Sequence, residues 1–226
     1  MISRHERRRH RDETRDGGGM IDDAESAMPE KALVILRAAR KVFLAHGFSA
    51  ATTDMIQKEA GVSKSTLYAH FGNKEGMFSA VIRSECKRHT ESMRIKLSSG
   101  NTLREKLLNM AKAYLRLLTK KETVALFRIA LEVSTVFPRL AELFYSSAPG
   151  CIHGFIRELF EQAVQNGELR ISPTEMESAA LLFAAMVRGN PHLRHLLLPW
   201  EKFSQGELDA WAVLAVDKFL LAYTAK

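Results

Sequence analysis

Cysteine is scarce in this chain. Only Cys86 and Cys151 occur among 226 residues, too few for the several bridges that hold a small secreted scaffold together. Long apolar runs are missing too. No run of about 18 apolar residues occurs, as a membrane-spanning helix requires, and the N-terminus has no apolar core of a secretory signal. Together these absences lead to the expectation of a cytoplasmic protein that makes no use of a membrane. The six prolines fall between apolar periodic segments, not inside them, and no sustained alternation of apolar and polar residues appears, which argues against a sheet. Catalytic signatures are lacking as well: there is no GxSxG, P-loop, GxGxxG or HExxH, and acidic residues are scattered among basic ones. Cys151-Ile-His153 and the pair His192 and His195 are the only suggestive ligand spacings, and neither supplies a closed four-ligand zinc set. The expectation is therefore no catalytic residue, no metal, no cofactor and no enzyme.

What is present is ordinary globular material, 46% hydrophobic and 26% charged, dominated by helix formers. The expected fold is all-α, an N-terminal three-helix helix-turn-helix head joined to a larger helical body. Charge is unevenly spread. Residues 1–30 carry 6 basic and 8 acidic groups, residues 31–98 carry 12 and 5, and residues 99–226 carry 15 and 13. The balances are −2, +7 and +2, so the whole surplus sits in the second segment, the footprint expected of a duplex-binding head on a nearly neutral body. A basic helix can instead lie on an anionic membrane, but that needs a wide apolar face, and here the apolar residues are required for a core.

The surplus surrounds Thr52 to Phe71, TTDMIQKEAGVSKSTLYAHF, which reads as two short helices and a tight turn. Thr52 or Thr53 can cap the first helix, and Gly61 supplies the positive-φ residue that ends it. Ser63 can cap the second, with Leu67 and Phe71 packing back on Ile56 and Ala60. Lys64, Ser65, Thr66, Tyr68 and His70 are left on the outer face, all short or flat side chains ending in hydrogen-bonding groups. Such a face suits a helix entering the major groove. It also suits the solvated side of a helical hairpin.

The run GVSKSTLYAHFGNKEGMF, with FLAHGFSA before it, closely resembles the N-terminal domain of TetR-type transcriptional regulators, particularly the AcrR-like branch. The resemblance is strong over residues 32–82 and weak afterwards. It implies that Lys64, Ser65 and His70 lie near base edges and that Thr66, Tyr68 and Lys74 grip phosphates. Thr52, Thr53 and Ser63 complete the DNA-facing set. Two positions depart from the family pattern: Gln57, where a small alanine is usual at the helix crossing, and Gly76, in the first turn of the next helix, where glycine costs about 1 kcal/mol of propensity.

Before this unit, residues 1–30 are charged, glycine-rich and aperiodic, so a disordered tail is expected, with Met20 after three glycines as the expected translation start. An Arg-rich arm reaching the minor groove is the competing use of that tail. Lys31 to His46 reads as the first helix, closed by Gly47, with Phe48 entering the small core. After Asn73, a long helix from Lys74 to Leu97 should connect head to body, and the resemblance implies that it shifts when a ligand binds. Cys86 on that helix invites a redox reading that no neighbouring base supports. SSGN at 98–101 marks the domain boundary, leaving 31–98 as the head and 99–226 as an effector-binding and dimerisation body.

In the body, helices are expected over Leu103 to Thr119, Thr123 to Val133, a short piece from Leu140 to Ser146, and Cys151 to Asn166. Pro173 is expected to start a helix running to Arg188, followed by a long connection and a final helix from Glu207 to Tyr223. The last two are nearly too apolar for a monomer surface, and the resemblance implies a four-helix homodimer interface. The resemblance implies a pocket for a small hydrophobic effector, with Met110, Tyr114, Phe127, Phe137, Phe144 and His153 as the expected lining, although core packing is the commoner explanation for any one of them. The resulting expectation is a dimeric regulator, a repressor on a near-palindromic double-stranded DNA operator, released by that effector. A non-sensing DNA protein, such as a nucleoid or cell-division factor with the same head, is the alternative.

Overall fold

The computed structural model describes residues 28–97 and 100–224, with only the helical backbone for residues 90–92 and 94–97. The expected tail and its Met20 start lie outside the described residues, apart from its last three positions. Ten helices are present among the described residues: α1 Glu30–Ala50, α2 Thr53–Ala60, α3 Lys64–Phe71, α4 Lys74–Leu97, α5 Leu103–Leu118, α6 Lys121–Val133, α7 Pro138–Ser147, α8 Pro149–Gln165, α9 Met176–Leu197 and α10 Gln205–Tyr223.

Local chemistry starts and stops most of them. Thr52 accepts from the Met55 amide and Ser63 from the Thr66 amide, while Gly61 ends α2 at φ 65°. Thr102 with Glu105 and Ser204 with Glu207 form reciprocal capping boxes on α5 and α10. Pro138 and Pro149 occupy first helical positions, where a missing N–H costs nothing. At Gly47 the chain leaves helical geometry (φ 77°), and Phe48 turns inward to 2% exposure.

Two apolar clusters result. One joins α1 to α4 with α6 and α7, through Phe43, Phe48, Ile56, Leu67, Phe78, Ile129 and Val133. The other joins α5, α8, α9 and α10, through Leu107, Ile156, Phe160, Phe183, Val216 and Phe219. The rings of Phe43 and Phe78 meet at 5.0 Å and those of Phe48 and Phe78 at 5.3 Å; truncating one such buried ring typically costs about 3–5 kcal/mol. Phe127 packs against both clusters, so it is the seam of the molecule.

The structure corrects one stretch of the sequence reading. No helix starts at Pro173: residues 173–175 form a turn, with Ser172 donating to Glu175 at 2.7 Å. The helix from Met176 does not stop at Arg188 either, and continues through Gly189 and Pro191 to Leu197, so the expected long connection is mostly helical. Pro191 has no N–H to offer the Val187 carbonyl, and its ring prevents a straight continuation. The kink at Gly189 (φ 34°) admits the Trp211 indole, which donates to the Val187 carbonyl at 3.0 Å and the Met186 carbonyl at 3.1 Å. A β-carbon at position 189 would stand 2.4 Å from that ring. Arg128 then caps the far end of α9, donating to the carbonyls of His195 and Leu196.

Candidate nucleic-acid interface and body cavity

On α3, Leu67 is fully buried while Lys64, Ser65, Tyr68 and His70 are exposed and Thr66 is half-buried. The helix is thus held by one side and open on the other. Thr53 and Tyr68 share a 3.2 Å hydroxyl contact, which ties α3 to the start of α2 and fixes the angle at which both are presented. Ser63 Oγ stands 2.8 Å from the hydroxyls of both Ser65 and Thr66, clustering three hydroxyls at the N-terminus of α3. Lys64 Nζ lies 2.6 Å from Asp54 Oδ1, and this contact raises its pKa. Both groups are well exposed, so the pair is weakly held and free to exchange for a phosphate or base edge. Lys74 lies over the Phe48 ring at 4.4 Å, with its Nζ 3.4 Å from the Ser49 carbonyl. It is half-buried, and the aliphatic stem packs while the ammonium stays at the rim. Thr53 with Tyr68, Ser63 with Ser65 and Thr66, and Lys64 with Asp54 thus meet where α2 and α3 adjoin, while Lys74 stands beside the end of α1.

Gly76 has a reason that propensity alone does not reveal. Asn73 Oδ1 accepts from the Gly76 amide at 2.7 Å, drawing the first turn of α4 against the end of α3. A β-carbon at 76 would stand 2.0 Å from the Phe71 carbonyl oxygen. Gln57, the other departure, is half-buried.

Two polar clamps brace this head, the first of them to the body, and sequence reading identified neither. Glu132, at the end of α6, accepts the amides of Ser49 at 3.0 Å and Phe48 at 3.4 Å. Hydrogen bonding by Ser49, side chain and then backbone, outweighs partial burial and holds the Glu132 carboxyl below its ordinary range. Phe137 stacks edge-on against Phe48 at 5.2 Å beside it. On α4, Glu85 is 2% exposed and accepts Arg40 Nε of α1 at 2.7 Å and both bonds offered by Arg88. A buried carboxylate is tolerated only because two guanidiniums saturate it.

Glu85 also forms part of a cavity wall. Glu85, Cys86 and His89 of α4, Tyr114, Leu117 and Leu118 of α5, Thr123, Leu126 and Phe127 of α6, Phe144 of α7, and Ala148, Pro149 and Ile152 enclose about 40 Å³. That is room for about one water. Of the residues expected to line a pocket, Tyr114, Phe127 and Phe144 meet here. The other three lie elsewhere: Met110 is 2% exposed in the α5, α8, α9 and α10 core, Phe137 packs on the head, and His153 faces Tyr145 at 6.2 Å. Burial raises the Tyr114 phenol to about 12 and the Cys86 thiol to about 12, which leaves Cys86 uncharged and unreactive at neutral pH. Burial lowers His89 to about 4, with Glu85 opposing and Arg88, Lys120 and Arg40 assisting. His192, at 4.6 Å from the Phe127 ring, is also lowered to about 4, first by burial and then by Arg188.

Comparison with known proteins places both halves. Residues 35–81 match the family described as bacterial regulatory proteins, tetR family, and residues 105–225 match the AefR-like transcriptional repressor, C-terminal domain. The HTH-type transcriptional repressor AcnR of Corynebacterium efficiens is 36% identical over 59 residues, 26% of this chain and 31% of AcnR. The match thus spans about a third of that relative's length, over the head. The Flavonoid-responsive Regulator FrrA is 33% identical, with 87% of this chain and 98% of FrrA covered and a TM-score of 0.72. A TetR-family protein from Mesorhizobium loti MAFF303099 is 23% identical, covers 86% of this chain and 96% of its own, and shares the fold at a TM-score of 0.79. The chain belongs to the TetR family of bacterial transcriptional regulators, which are DNA-binding factors and not enzymes.

Proposed function

We propose that the protein is a cytoplasmic homodimeric repressor that binds a near-palindromic operator through two copies of α3 and leaves it when a small apolar molecule occupies the cavity. The carrying observation is that α4 is a wall of that cavity while the same helix forms the floor of the reading head, with Met77, Phe78, Val81 and Ile82 buried there. A volume of about 40 Å³ is far below the few hundred Å³ that a small-molecule site encloses. Occupation therefore pushes its walls apart, and any displacement of α4 reaches α3. Exposed Leu182 and Leu193 on α9 and Leu214 and Leu221 on α10 support a dimer face on those two helices. Dimer symmetry would then set operator symmetry.

FrrA, similar over nearly its whole length, responds to flavonoids by its name, which supports a flat, largely apolar effector here. A tenfold loss of operator affinity needs about 1.4 kcal/mol of coupling between cavity and head. The test is a ligand screen read by operator binding: the reading holds if a cavity-binding compound weakens the operator complex at least tenfold. The small cavity favours a second reading, a DNA-binding protein with no effector, and many well-separated genomic sites with no ligand response would establish it.

A further inference from the structure

The lining of the cavity is mostly apolar, but Thr123, 8% exposed, holds its hydroxyl without a hydrogen-bond partner among the described residues, and His89 Nε2 is likewise unpartnered. Both residues line the same void. A buried polar atom left unpaired costs about 1–3 kcal/mol, and native interiors rarely leave one without a partner. The nearest group to His89 Nε2 is Glu85 Oε2 at 3.9 Å, too far for a hydrogen bond, and that oxygen is already taken by Arg40 and Arg88.

Resting on the effector reading above, we infer that the cavity takes a neutral phenol, whose ring lies among Tyr114, Phe127, Phe144 and Pro149 and whose hydroxyl bridges Thr123 and His89. A threonine hydroxyl and a neutral imidazole nitrogen can together offer one donor and one acceptor, which a single hydroxyl satisfies at once. An ionised ligand is disfavoured with either sign. Glu85, Arg40 and Arg88 already pair with one another, so neither a carboxylate nor an ammonium finds a free counter-charge to offset the cost of burying it. A ring suits these walls, since Tyr114, Phe127 and Phe144 offer it stacked and edge-to-face contacts.

The test titrates full-length protein by calorimetry with three matched probes: biphenyl, 4-phenylphenol and biphenyl-4-carboxylate. The expected order is 4-phenylphenol tightest, by about fivefold or more over each of the others, the worth of one net hydrogen bond. In Thr123→Val, which keeps the shape and removes the hydroxyl, the advantage of 4-phenylphenol over biphenyl shrinks several-fold while biphenyl binds as before. The ligand-free Thr123→Val variant melts at the same temperature or higher, because an unmade polar group has been removed. Equal binding of biphenyl and 4-phenylphenol, tightest binding of the carboxylate, or an undiminished preference in Thr123→Val overturns the phenol inference and leaves an apolar effector site standing. Failure of all three probes to bind overturns both.

Discussion

At the scale of single residues, the head separates side chains that hold it together from side chains left open. Lys74 has a carbonyl and a ring as neighbours but no carboxylate partner among its described ion pairs, so its ammonium remains available to a phosphate. In Lys74→Ala, affinity for all DNA sequences should fall similarly and the salt slope of binding should decrease by roughly one unit. An unchanged slope removes Lys74 from the phosphate contacts. Buried His192 and half-buried His89 make a second prediction. His89 and His192 are depressed from about 6.5 to about 4, so the unfolded chain binds protons that the folded chain refuses. Their contribution is intact above pH 6.5 and is lost as pH falls towards 4. The denaturation midpoint should decline across that window, and His192→Phe, which keeps an aromatic against Phe127, should flatten part of the decline. A midpoint constant from pH 7 to 4.5 contradicts the assigned burial.

At the scale of helices, the crowded junction of α3 and α4 is the most sensitive point in the head. Because a β-carbon at Gly76 would meet the Phe71 carbonyl oxygen at 2.0 Å, Gly76→Ala should destabilise the protein by about 1–3 kcal/mol despite alanine's better helix propensity. Chemical denaturation measures this, and a stabilised variant would show that the junction relaxes freely. Helix starts and stops were largely legible in sequence where their chemistry is local: Thr52, Gly61 and Ser63 act within three or four residues of themselves. Helix α9 was not legible beyond Arg188, since its passage through Gly189 and Pro191 depends on an indole donor from Trp211, 24 residues or more along the chain. The Glu132 clamp and the Arg40–Glu85 pair were hidden for the same reason, each joining groups 45 or more residues apart. Likewise, the pocket is assembled from five helices and residues beside them, so the sequence pointed to Tyr114, Phe127 and Phe144 but could not separate them from Met110, Phe137 and His153, which lie elsewhere.

At the scale of the whole molecule, cavity and head are continuous. The head cluster is not self-contained: it includes Leu126, Ile129 and Val133 of α6 and Phe144 of α7. Leu126 and Phe144 also line the cavity, and Phe127 beside them packs on both clusters. On the proposed reading, displacement of these walls would reach α3 through packed side chains as well as through α4. That continuity has a purpose only if the head reads a specific operator. The most direct measurement is binding of the purified protein to the DNA immediately upstream of its own gene, against a shuffled duplex, over a salt series. Selective binding that persists near physiological salt is the predicted result. Equal affinity for the two duplexes, vanishing together as salt rises, would contradict it.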